Sequence, residues 1–502
     1  MKSTGTLLDL FQKADHARAA IIIPELDLRV SYESLRDQTW QMMQLLAGAG
    51  IGRNARVAIA LPNGLPAIVS FLAASIAGTA APLNPAYRYD EFDFFLEDTG
   101  ARVLICPPIG ADEARRAAAD RHVPVLTAEI DSHGKAHLRG THEKGTVLTP
   151  TPKDIALILH TSGSTGRPKR VPLQHVNLLV SAQNIANTYS LSPEDISVCV
   201  MPLFHVHGLV ASTLATLLSG GTVVVPKKFD ALGFWRIVKE YKATWYSGVP
   251  TMHQVLLARA GNHARPAGAE SLRFIRSCST PLSAEVMHRM EEVFGVPLLE
   301  AYGMTEAAHQ MCSNPLPPRM HKPGSVGVPC GLQISIINGH GHHLGIDKRG
   351  EVVIRGSNVF PGYENDAEAN AHAFKEGWFR TGDEGFLDHD GYLHLTGRLK
   401  EQINRAGEKI SPREIDKVLL KHPAVLEAVT FGFAHPTLNE EVAAAVVLRE
   451  AVSESALLKF CGERLANFKC PKKLYILESI PQTATGKIRR KEVAAALLSA
   501  PR

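Results

Sequence analysis

The stretch Thr161-Ser162-Gly163-Ser164-Thr165-Gly166-Arg167-Pro168-Lys169 decides how the rest of the chain is interpreted. It follows Ile155-Ala156-Leu157-Ile158-Leu159, a short apolar run that predicts a buried strand ending where the loop begins. Glycines let backbone N–H groups approach an anion closely, hydroxyls add donors, and Arg167 or Lys169 can neutralise charge. No Gly-x-x-x-x-Gly-Lys-Ser/Thr frame fits, so the stretch is not a Walker A loop. It predicts a phosphate-binding loop, although a flexible surface turn would have the same composition.

The composition is that of an ordinary globular protein. The chain has 502 residues, 45% hydrophobic and 21% charged, and this length predicts more than one domain. A net charge of +4 is small for such a chain and argues against a nucleic-acid-binding protein. The seven cysteines are scattered without a Cys-x-x-Cys pair, which suggests a reducing compartment. The start of the sequence has no signal-peptide pattern, so we expect a cytoplasmic location.

The segment from Val57 to Tyr87 contains no charged residue. Prolines, glycines and asparagines interrupt it, so a single membrane helix is not expected. A buried strand, a buried helix from about Ala67 to Ala77 and a second strand explain it better. We therefore expect no membrane partner.

The hydrophobic pattern changes along the chain. Over the first 300 residues, β-branched runs such as Thr222-Val223-Val224-Val225 alternate with helical patterns such as Phe234–Tyr241 and Ala284–Phe294. This alternation predicts parallel sheets covered by helices. From about Gly324, closely spaced strands and glycine turns predict an antiparallel sheet or barrel.

A compact α/β unit follows Gly397-Arg398-Leu399-Lys400. Its first helix is predicted from Pro412 to Lys421, capped by Ser411, with Pro412 at the first helical position and Glu414 three residues after the cap in a capping-box pattern. We place a domain boundary near Lys400, which gives domains of residues 1–398 and 399–502.

A second polar cluster is Glu300-Ala301-Tyr302-Gly303-Met304-Thr305-Glu306. The tyrosine could stack on a base, the threonine could contact phosphate, and the carboxylate of Glu306 could hold a hard cation that bridges phosphates. A strand end with an incidental acidic residue would give the same pattern.

Two further clusters lie nearer the C-terminus. In Gly377-Trp378-Phe379-Arg380-Thr381-Gly382-Asp383, the aspartate is suited to accept hydrogen bonds from both hydroxyls of a ribose, although an Asx turn explains it equally well. In Pro481-Gln482-Thr483-Ala484-Thr485-Gly486-Lys487-Ile488, a lysine on a small-residue loop can stabilise charge on a phosphate or carboxylate. Taken alone, Lys487 would be interpreted as a surface lysine.

Taken together and in this order, the four clusters resemble those of the adenylate-forming superfamily of acyl-CoA synthetases, peptide-synthetase adenylation domains and luciferases. The resemblance extends from about Tyr32 to Lys491. It implies an α/β fold, in which a large N-terminal domain of α/β subdomains and a distorted β-barrel precedes a small, mobile α+β domain. It also implies two reactions: a carboxylic acid attacks the α-phosphate of ATP and releases pyrophosphate, and the acyl-adenylate then reacts with the thiol of coenzyme A.

The resemblance assigns roles to particular residues. Lys487, Thr305 and Glu306 are the implied catalytic residues, with Glu306 holding Mg²⁺. The residues implied to bind ATP are Thr161, Ser162, Gly163, Ser164, Thr165, Gly166, Arg167, Pro168, Lys169, Glu300, Ala301, Tyr302, Gly303, Met304, Thr305, Asp383, Arg398 and Lys487. Within this set the tyrosine stacks on adenine, and the aspartate and Arg398 bind the ribose.

For the second reaction, the resemblance implies that the C-terminal domain rotates about a hinge at Lys400. The rotation withdraws Lys487 and presents Gly407, Glu408 and Lys409 to the pantetheine of CoA.

Two stretches are expected to wall the acid pocket, Ser277–Leu282 and Met304–His309. They are larger and more polar than in relatives that accept bulky aryl acids, and His205 matches the family histidine at the pocket mouth. A small cavity lined by His205, Ser279 and His309 suits a second carboxylate on a short substrate. This combination resembles the oxalate–CoA ligase branch of the family.

Several alternatives stay open from the sequence. The acid could be another short acid or a 4-coumarate-like acid, and a stand-alone enzyme that loads a carrier protein is a further possibility. His205-x-His207 could ligate zinc, but no nearby Cys/His pair completes such a site. We expect ATP, Mg²⁺ and CoA as ligands, a monomer or homodimer, and no nucleic-acid partner.

Overall fold

The computed structural model describes residues 4–12, 15–161, 168–260, 265–406, 408–483 and 488–499. The predicted site residues that lie outside these ranges are Ser162, Gly163, Ser164, Thr165, Gly166, Arg167, Gly407 and Lys487.

The described strands are β1 (Ala19–Ile23), β2 (Leu28–Ser31), β3 (Arg56–Ile59), β4 (Thr79–Pro82), β5 (Val103–Cys106), β6 (Val125–Ile130), β7 (Ala136–Arg139), β8 (Ile155–Thr161), β9 (Lys169–Gln174), β10 (Ile196–Val198), β11 (Thr222–Val224), β12 (Trp245–Gly248), β13 (Phe274–Ser277), β14 (Leu298–Met304), β15 (His309–Ser313), β16 (Val328–Pro329), β17 (Gln333–Ile337), β18 (Gly350–Arg355), β19 (Phe374–Lys375), β20 (Trp378–Leu387), β21 (Leu393–Arg398), β22 (Ile403–Arg405), β23 (Glu408–Ile410), β24 (Val425–His435), β25 (Asn439–Leu448) and β26 (Lys473–Leu477). The described α-helices are α1 (Tyr32–Gly48), α2 (Leu65–Ala77), α3 (Tyr89–Thr99), α4 (Asp112–Asp120), α5 (His175–Thr188), α6 (Ala215–Leu218), α7 (Phe234–Tyr241), α8 (Pro250–Ala260), α9 (Ala284–Phe294), α10 (Ala367–Ala373), α11 (Pro412–Leu419), α12 (Glu454–Gly462) and α13 (Arg490–Ser499).

Within the described residues the strands pair into four sheets. Two large sheets, ordered β7-β6-β5-β3-β4-β8-β9 and β16-β15-β14-β13-β12-β10-β11-β1-β2, are parallel in their centres and antiparallel at their edges. A third, antiparallel sheet has the order β17-β18-β20-β19, with β21 beside β20. The fourth contains the described strands after residue 400, in the order β23-β22-β25-β24 with β26 beside β25. The predicted α/β fold is confirmed, with a large N-terminal part and a smaller C-terminal unit.

Helix α2 lies within the uncharged segment and is buried along almost its whole length. Pro66 stands in its first turn, where no intrahelical N–H partner is required, and Gly78 follows its last residue. The helix connects the parallel neighbours β3 and β4, which explains its apolar faces on all sides. Among the described residues, no helix is long and apolar enough to cross a bilayer.

The C-terminal unit begins after a 3-10 turn at Leu399–Glu401, which contains the predicted hinge residue Lys400. Helix α11 begins at Pro412 with Ser411 at the N-cap position, as predicted, and ends at Leu419, two residues before the predicted Lys421. The side chain of Ser411 makes no cap hydrogen bond, so the predicted capping box does not form. Its hydroxyl instead donates to the backbone oxygen of Thr396 on β21, at 2.6 Å. The Ser411 hydroxyl is therefore used in a tertiary contact between the C-terminal unit and the third sheet. The boundary near Lys400, between 1–398 and 399–502, stays a prediction.

Candidate active site

One hairpin carries much of the predicted site. It consists of β14, a 3-10 turn at Thr305–Ala307 and β15. Strand β14 is parallel to β13, and its carboxyl end lies at the edge where open α/β sheets bind ligands. At Gly303, an added Cβ atom would lie 2.0 Å from the carbonyl oxygen of His309, so the close approach of the two strands requires glycine. The residues of the second cluster on this hairpin are Glu300, Ala301, Tyr302, Gly303, Met304, Thr305 and Glu306.

Tyr302, Asp383 and Arg398 form a hydrogen-bonded chain. The Tyr302 hydroxyl donates to Asp383 Oδ2 at 2.5 Å, and Arg398 Nε donates to Asp383 Oδ1 at 2.9 Å. Asp383 and Arg398 are register partners on β20 and β21. Burial and the neighbouring Asp383 charge raise the pKa of Tyr302, so its hydroxyl remains a donor. A carboxylate has about four acceptor positions, so Asp383 retains capacity for ribose hydroxyls beside these two partners.

A second group of contacts joins the described ends of the predicted phosphate loop to Glu306. Thr161 and Lys169 are register partners at the two ends of the loop, next to the half-buried Pro168. The Thr161 hydroxyl donates to Glu306 Oε1 at 3.4 Å, and the Tyr363 hydroxyl donates to the same oxygen at 3.0 Å. Lys169 Nζ lies 4.6 Å from the centre of the Tyr363 ring. Tyr363 was not predicted from the sequence, yet it connects the loop to the carboxylate.

Glu306 fits the carboxylate expected to hold Mg²⁺. Its side chain is buried, and the backbone oxygen of the same residue accepts from Phe360 N at 2.8 Å, which fixes the turn. The described residues contain no group of three or more His, Cys, Asp or Glu side chains arranged around a metal position. Magnesium is commonly held by one or two carboxylates together with substrate phosphates, so a single fixed carboxylate suits it.

An ion-pair network includes His160 on β8 and Arg170 on β9, the two strands that flank the predicted phosphate loop. His160 Nε2 lies 3.0 Å from Asp98 Oδ2, and Arg170 Nε lies 3.4 Å from the same oxygen. Glu364, next to Tyr363, pairs with Arg56 and lies 3.5 Å from Arg170. Burial lowers the pKa of His160. These contacts anchor both strands of the loop to α3 and to the Tyr363 turn.

The predicted acid pocket contains a cluster built around Arg276. The Arg276 side chain on β13 is fully buried. It donates a hydrogen bond at 2.9 Å to Oγ of Ser247, its register partner on β12. His207 Nε2 lies 3.4 Å from Arg276, and His207 Nδ1 lies 3.2 Å from Ser279 Oγ. His309 Nδ1 lies 3.3 Å from Arg276 on the other side. The structure thus brings the predicted Ser279 and His309 to one cluster.

Within the part of the chain that the structure describes, no carboxylate forms an ion pair with Arg276. Its remaining acceptors are neutral, the Tyr189 hydroxyl at 2.9 Å and Gln310 Oε1 at 3.0 Å. The stretches outside the described residues contain no aspartate or glutamate. A buried cation without a counter-charge is costly, so the cluster favours an anionic ligand.

Both predicted acid-pocket residues of this cluster have unusual backbone conformations. Ser279 has φ +79° and His309 has φ +110°, values that side-chain-bearing residues rarely adopt. His207 begins a π-helix, His207–Leu214, which is a rare element often found at functional sites. Strain of this kind persists where the surrounding structure holds a side chain in a required position.

The other predicted residues are His205, Lys400, Glu408 and Lys409. His205 is half-buried, and its Nδ1 accepts from the backbone N–H of His207 at 3.2 Å, so its role at the pocket mouth stays a prediction. Lys400 is exposed in its 3-10 turn, and Glu408 and Lys409 are exposed on β23. Their roles as hinge and CoA-tunnel residues also stay predictions.

The sequence predicts no role in the site for Arg276, His207 or Tyr363, although Arg276 belongs to the stretch Arg276-Ser277-Cys278-Ser279 that resembles the oxalate–CoA ligase branch. Arg276 carried one usable signal, a charged residue within the otherwise apolar run Phe274-Ile275 before Ser277. His207 belongs only to the zinc-like pattern His205-x-His207, and Tyr363 stands outside the four clusters.

Comparison with known families identifies the class of protein. The AMP-binding enzyme family matches residues 11–364, and the AMP-binding enzyme C-terminal domain matches residues 414–487. The chain therefore belongs to the AMP-binding enzyme family.

Individual relatives and solved structures are similar to the chain over nearly its whole length. The chain is 46% identical to a probable CoA ligase of Humulus lupulus, over 98% of this chain and 97% of the relative. It is also 46% identical to the oxalate–CoA ligase of Arabidopsis thaliana, over 91% of each. ATP-bound MatB from Rhodopseudomonas palustris superposes with a TM-score of 0.90 at 30% identity, covering 99% of both chains. The apo form of MatB superposes with a TM-score of 0.80, so the present structure is more similar to the ATP-bound form.

Proposed function

We propose that the protein is an ATP-dependent acid–CoA ligase that acts on oxalate, giving oxalyl-CoA, AMP and pyrophosphate. The observation that carries the choice of acid is the buried Arg276, surrounded by Ser279, His207 and His309 and lacking a carboxylate partner in the described residues. An apolar acyl chain would gain nothing from such a cluster, whereas a second carboxylate would supply the missing negative charge. The oxalate–CoA ligase among the relatives supports the same choice.

In the first reaction, one oxalate carboxylate attacks the α-phosphate of ATP and pyrophosphate leaves. Tyr302 and Asp383 would hold the nucleoside, while Lys169 and the loop it closes would hold the outer phosphates. Glu306 would bind Mg²⁺, which neutralises phosphate charge when present. Phosphoryl and nucleotidyl chemistry depends on positioning and charge neutralisation, and Lys487 would add the cation facing the developing charge.

In the second reaction, the CoA thiol attacks the acyl-adenylate carbonyl and AMP leaves. We propose that a rotation about Lys400 brings Glu408 and Lys409, with Gly407, to the pantetheine. The hydrogen bond from Ser411 to Thr396 joins the C-terminal unit to β21 in the present arrangement, and such a rotation would break it.

The choice of acid is tested by measuring AMP release with CoA and one of oxalate, malonate, acetate or 4-coumarate. We expect kcat/KM to be highest with oxalate. Preferential turnover of 4-coumarate or acetate would contradict the assignment and favour the alternative short-chain or aryl ligase. AMP formation that requires a carrier protein instead of CoA would favour the carrier-loading alternative.

We propose a cytoplasmic location, because all seven cysteines are buried free thiols, as a reducing compartment allows.

A further inference from the structure

Three contacts join the start of β9 to the turn that contains Tyr363. The first two residues of β9 are Lys169 and Arg170, and they face Tyr363 and Glu364. Lys169 Nζ lies 4.6 Å from the centre of the Tyr363 ring. The backbone N–H of Glu364 donates to the backbone oxygen of Arg170 at 3.2 Å, and Arg170 Nη1 lies 3.5 Å from Glu364 Oε2. The position of the turn is therefore coupled to the start of β9.

Each side of this junction carries a residue with a proposed role at the nucleotide. Lys169 is proposed to hold the outer phosphates of ATP. The Tyr363 hydroxyl donates at 3.0 Å to Oε1 of Glu306, the proposed magnesium ligand. The distance between the phosphate-binding cation and the metal-binding carboxylate therefore depends on how firmly the turn is held against β9.

The pair of Arg170 and Glu364 is the charged part of the junction, and its side chains are only 16% and 17% exposed. Glu364 also pairs with Arg56 on β3, and Arg170 Nε lies 3.4 Å from Asp98 Oδ2 on α3. The charges of these four side chains cancel. Burial lowers the pKa of His160, which lies 3.0 Å from the same Asp98 oxygen, so that ring is neutral at pH 7.

A buried and balanced set of charges resists separation of its members. Displacing one partner leaves an uncompensated charge in a medium that solvates it poorly, which costs much more than breaking an exposed ion pair. The pair of Arg170 and Glu364 therefore restricts movement of the turn relative to β9 more than the neighbouring contact of Lys169 with the Tyr363 ring, since Lys169 has a long and flexible side chain.

We propose that Arg170 is a positioning residue for the complex of Mg²⁺ with ATP. Through its pair with Glu364, it holds the Tyr363 turn against β9. The turn then sets the spacing between Lys169 and Glu306 that a magnesium triphosphate requires. This inference rests on the proposed function, because it uses the proposed roles of those two residues. It predicts that a change at Arg170 alters nucleotide affinity and leaves recognition of the acid unchanged.

The first test measures the Kd for the magnesium complex of a non-hydrolysable ATP analogue by calorimetry. In Arg170→Met we expect the Kd to rise about 10- to 100-fold, as is common when a residue that orients a metal ligand is lost. The matched control is Arg139→Met. Arg139 pairs with Glu129 at the opposite edge of the same sheet and is 64% exposed, so its loss should leave the Kd unchanged. A wild-type Kd in folded Arg170→Met overturns the proposal.

A double variant separates positioning from stability. Arg170→Met leaves the buried Glu364 carboxylate without one partner, which destabilises the protein whatever the role of Arg170. Arg170→Met with Glu364→Gln removes one charge of each sign and restores the balance. We expect its melting temperature to exceed that of the single variant, while its Kd stays about 10- to 100-fold above the wild-type value. Recovery of the melting temperature and the Kd together would show a purely structural role and overturn the proposal. The double variant also supplies the measurement if the single variant does not fold.

The failure of the proposed function would have a different signature. A wild-type protein that does not bind the magnesium–ATP analogue refutes the proposed function, and the positioning role with it. Normal binding by the wild-type protein and by both variants refutes the positioning role alone. At saturating magnesium and ATP, the oxalate KM of the double variant should equal the wild-type value. A rise in this KM as large as the rise in Kd would indicate general damage to the site and also overturn the proposal.

Discussion

The hydroxyl of Tyr363 provides the most specific prediction, because Tyr363→Phe removes a single contact. The ring remains beside Lys169 Nζ, at 4.6 Å, and beside Phe360, at 4.9 Å between ring centres. Only the hydrogen bond to Glu306 Oε1, at 3.0 Å, is lost. A hydrogen bond to a charged group contributes about 1.5 to 3 kcal/mol, and loss of a partner that orients a metal-binding side chain commonly weakens metal binding by about 10- to 100-fold.

For Tyr363→Phe we expect a weakening of Mg²⁺ binding at the lower end of the 10- to 100-fold range. Glu306 Oε1 has a second donor, Thr161 Oγ1 at 3.4 Å, which can partly replace the lost one. We therefore expect the Mg²⁺ concentration for half-maximal activity to rise about tenfold. The assay is oxalate-dependent ATP–pyrophosphate exchange, titrated with Mg²⁺ at saturating ATP.

The control for this experiment is Tyr475→Phe in the C-terminal unit. The Tyr475 hydroxyl makes no hydrogen bond to the described residues, and its ring lies 6.4 Å from that of Phe431. This variant should have the wild-type Mg²⁺ dependence. An unchanged Mg²⁺ dependence in Tyr363→Phe, with the fold intact, would refute the role of Tyr363 in orienting Glu306.

Three further predictions concern other parts of the site. His309→Ala should raise the oxalate KM by about 10- to 100-fold, because a bound carboxylate loses a donor; unchanged oxalate kinetics would remove His309 from the acid site. Lys487→Ala should abolish ATP–pyrophosphate exchange without changing the melting temperature, and exchange at the wild-type rate would exclude its role in the first reaction. Burial raises the pKa of Glu300 to about 7, so its ionisation penalises the folded state progressively between about pH 4.5 and 7, by about 3 kcal/mol at most. Glu300→Gln should therefore stabilise the protein more at pH 8 than at pH 5 in thermal melts, and an equal effect at both pH values would contradict this.

The sequence predicts the general fold because hydrophobic periodicity is a local property. Helices Phe234–Tyr241 and Ala284–Phe294 have the predicted bounds, and the uncharged segment folds into strand, buried helix and strand. Ser411 occupies the predicted N-cap position, but its hydroxyl bonds to Thr396 instead of capping the helix, and Thr396 becomes its neighbour only through the tertiary fold.

Candidate site residues that belong to a sequence motif can be predicted. Residues that meet only because two strands are neighbours in a sheet cannot. Tyr302 and Asp383 belong to family motifs, and their hydrogen bond agrees with a shared role that spacing alone could not reveal. Arg276 meets Ser247 because β12 and β13 are neighbours, a pairing that local sequence does not encode. The π-helix that begins at His207 has no recognisable sequence pattern either. Contacts among single residues that lie far apart in the sequence are therefore visible only in the structure.

The hairpin of β14 and β15 places Glu306 and His309 three residues apart on one short piece of backbone. An insertion or a shift of register there would move two residues together, the proposed metal ligand and the histidine proposed to bind the acid. Changes of substrate range during evolution, or in the laboratory, are therefore expected to accumulate at Ser279 and His207, which lie on separate segments. The hairpin itself should tolerate few length changes in any descendant that still uses ATP.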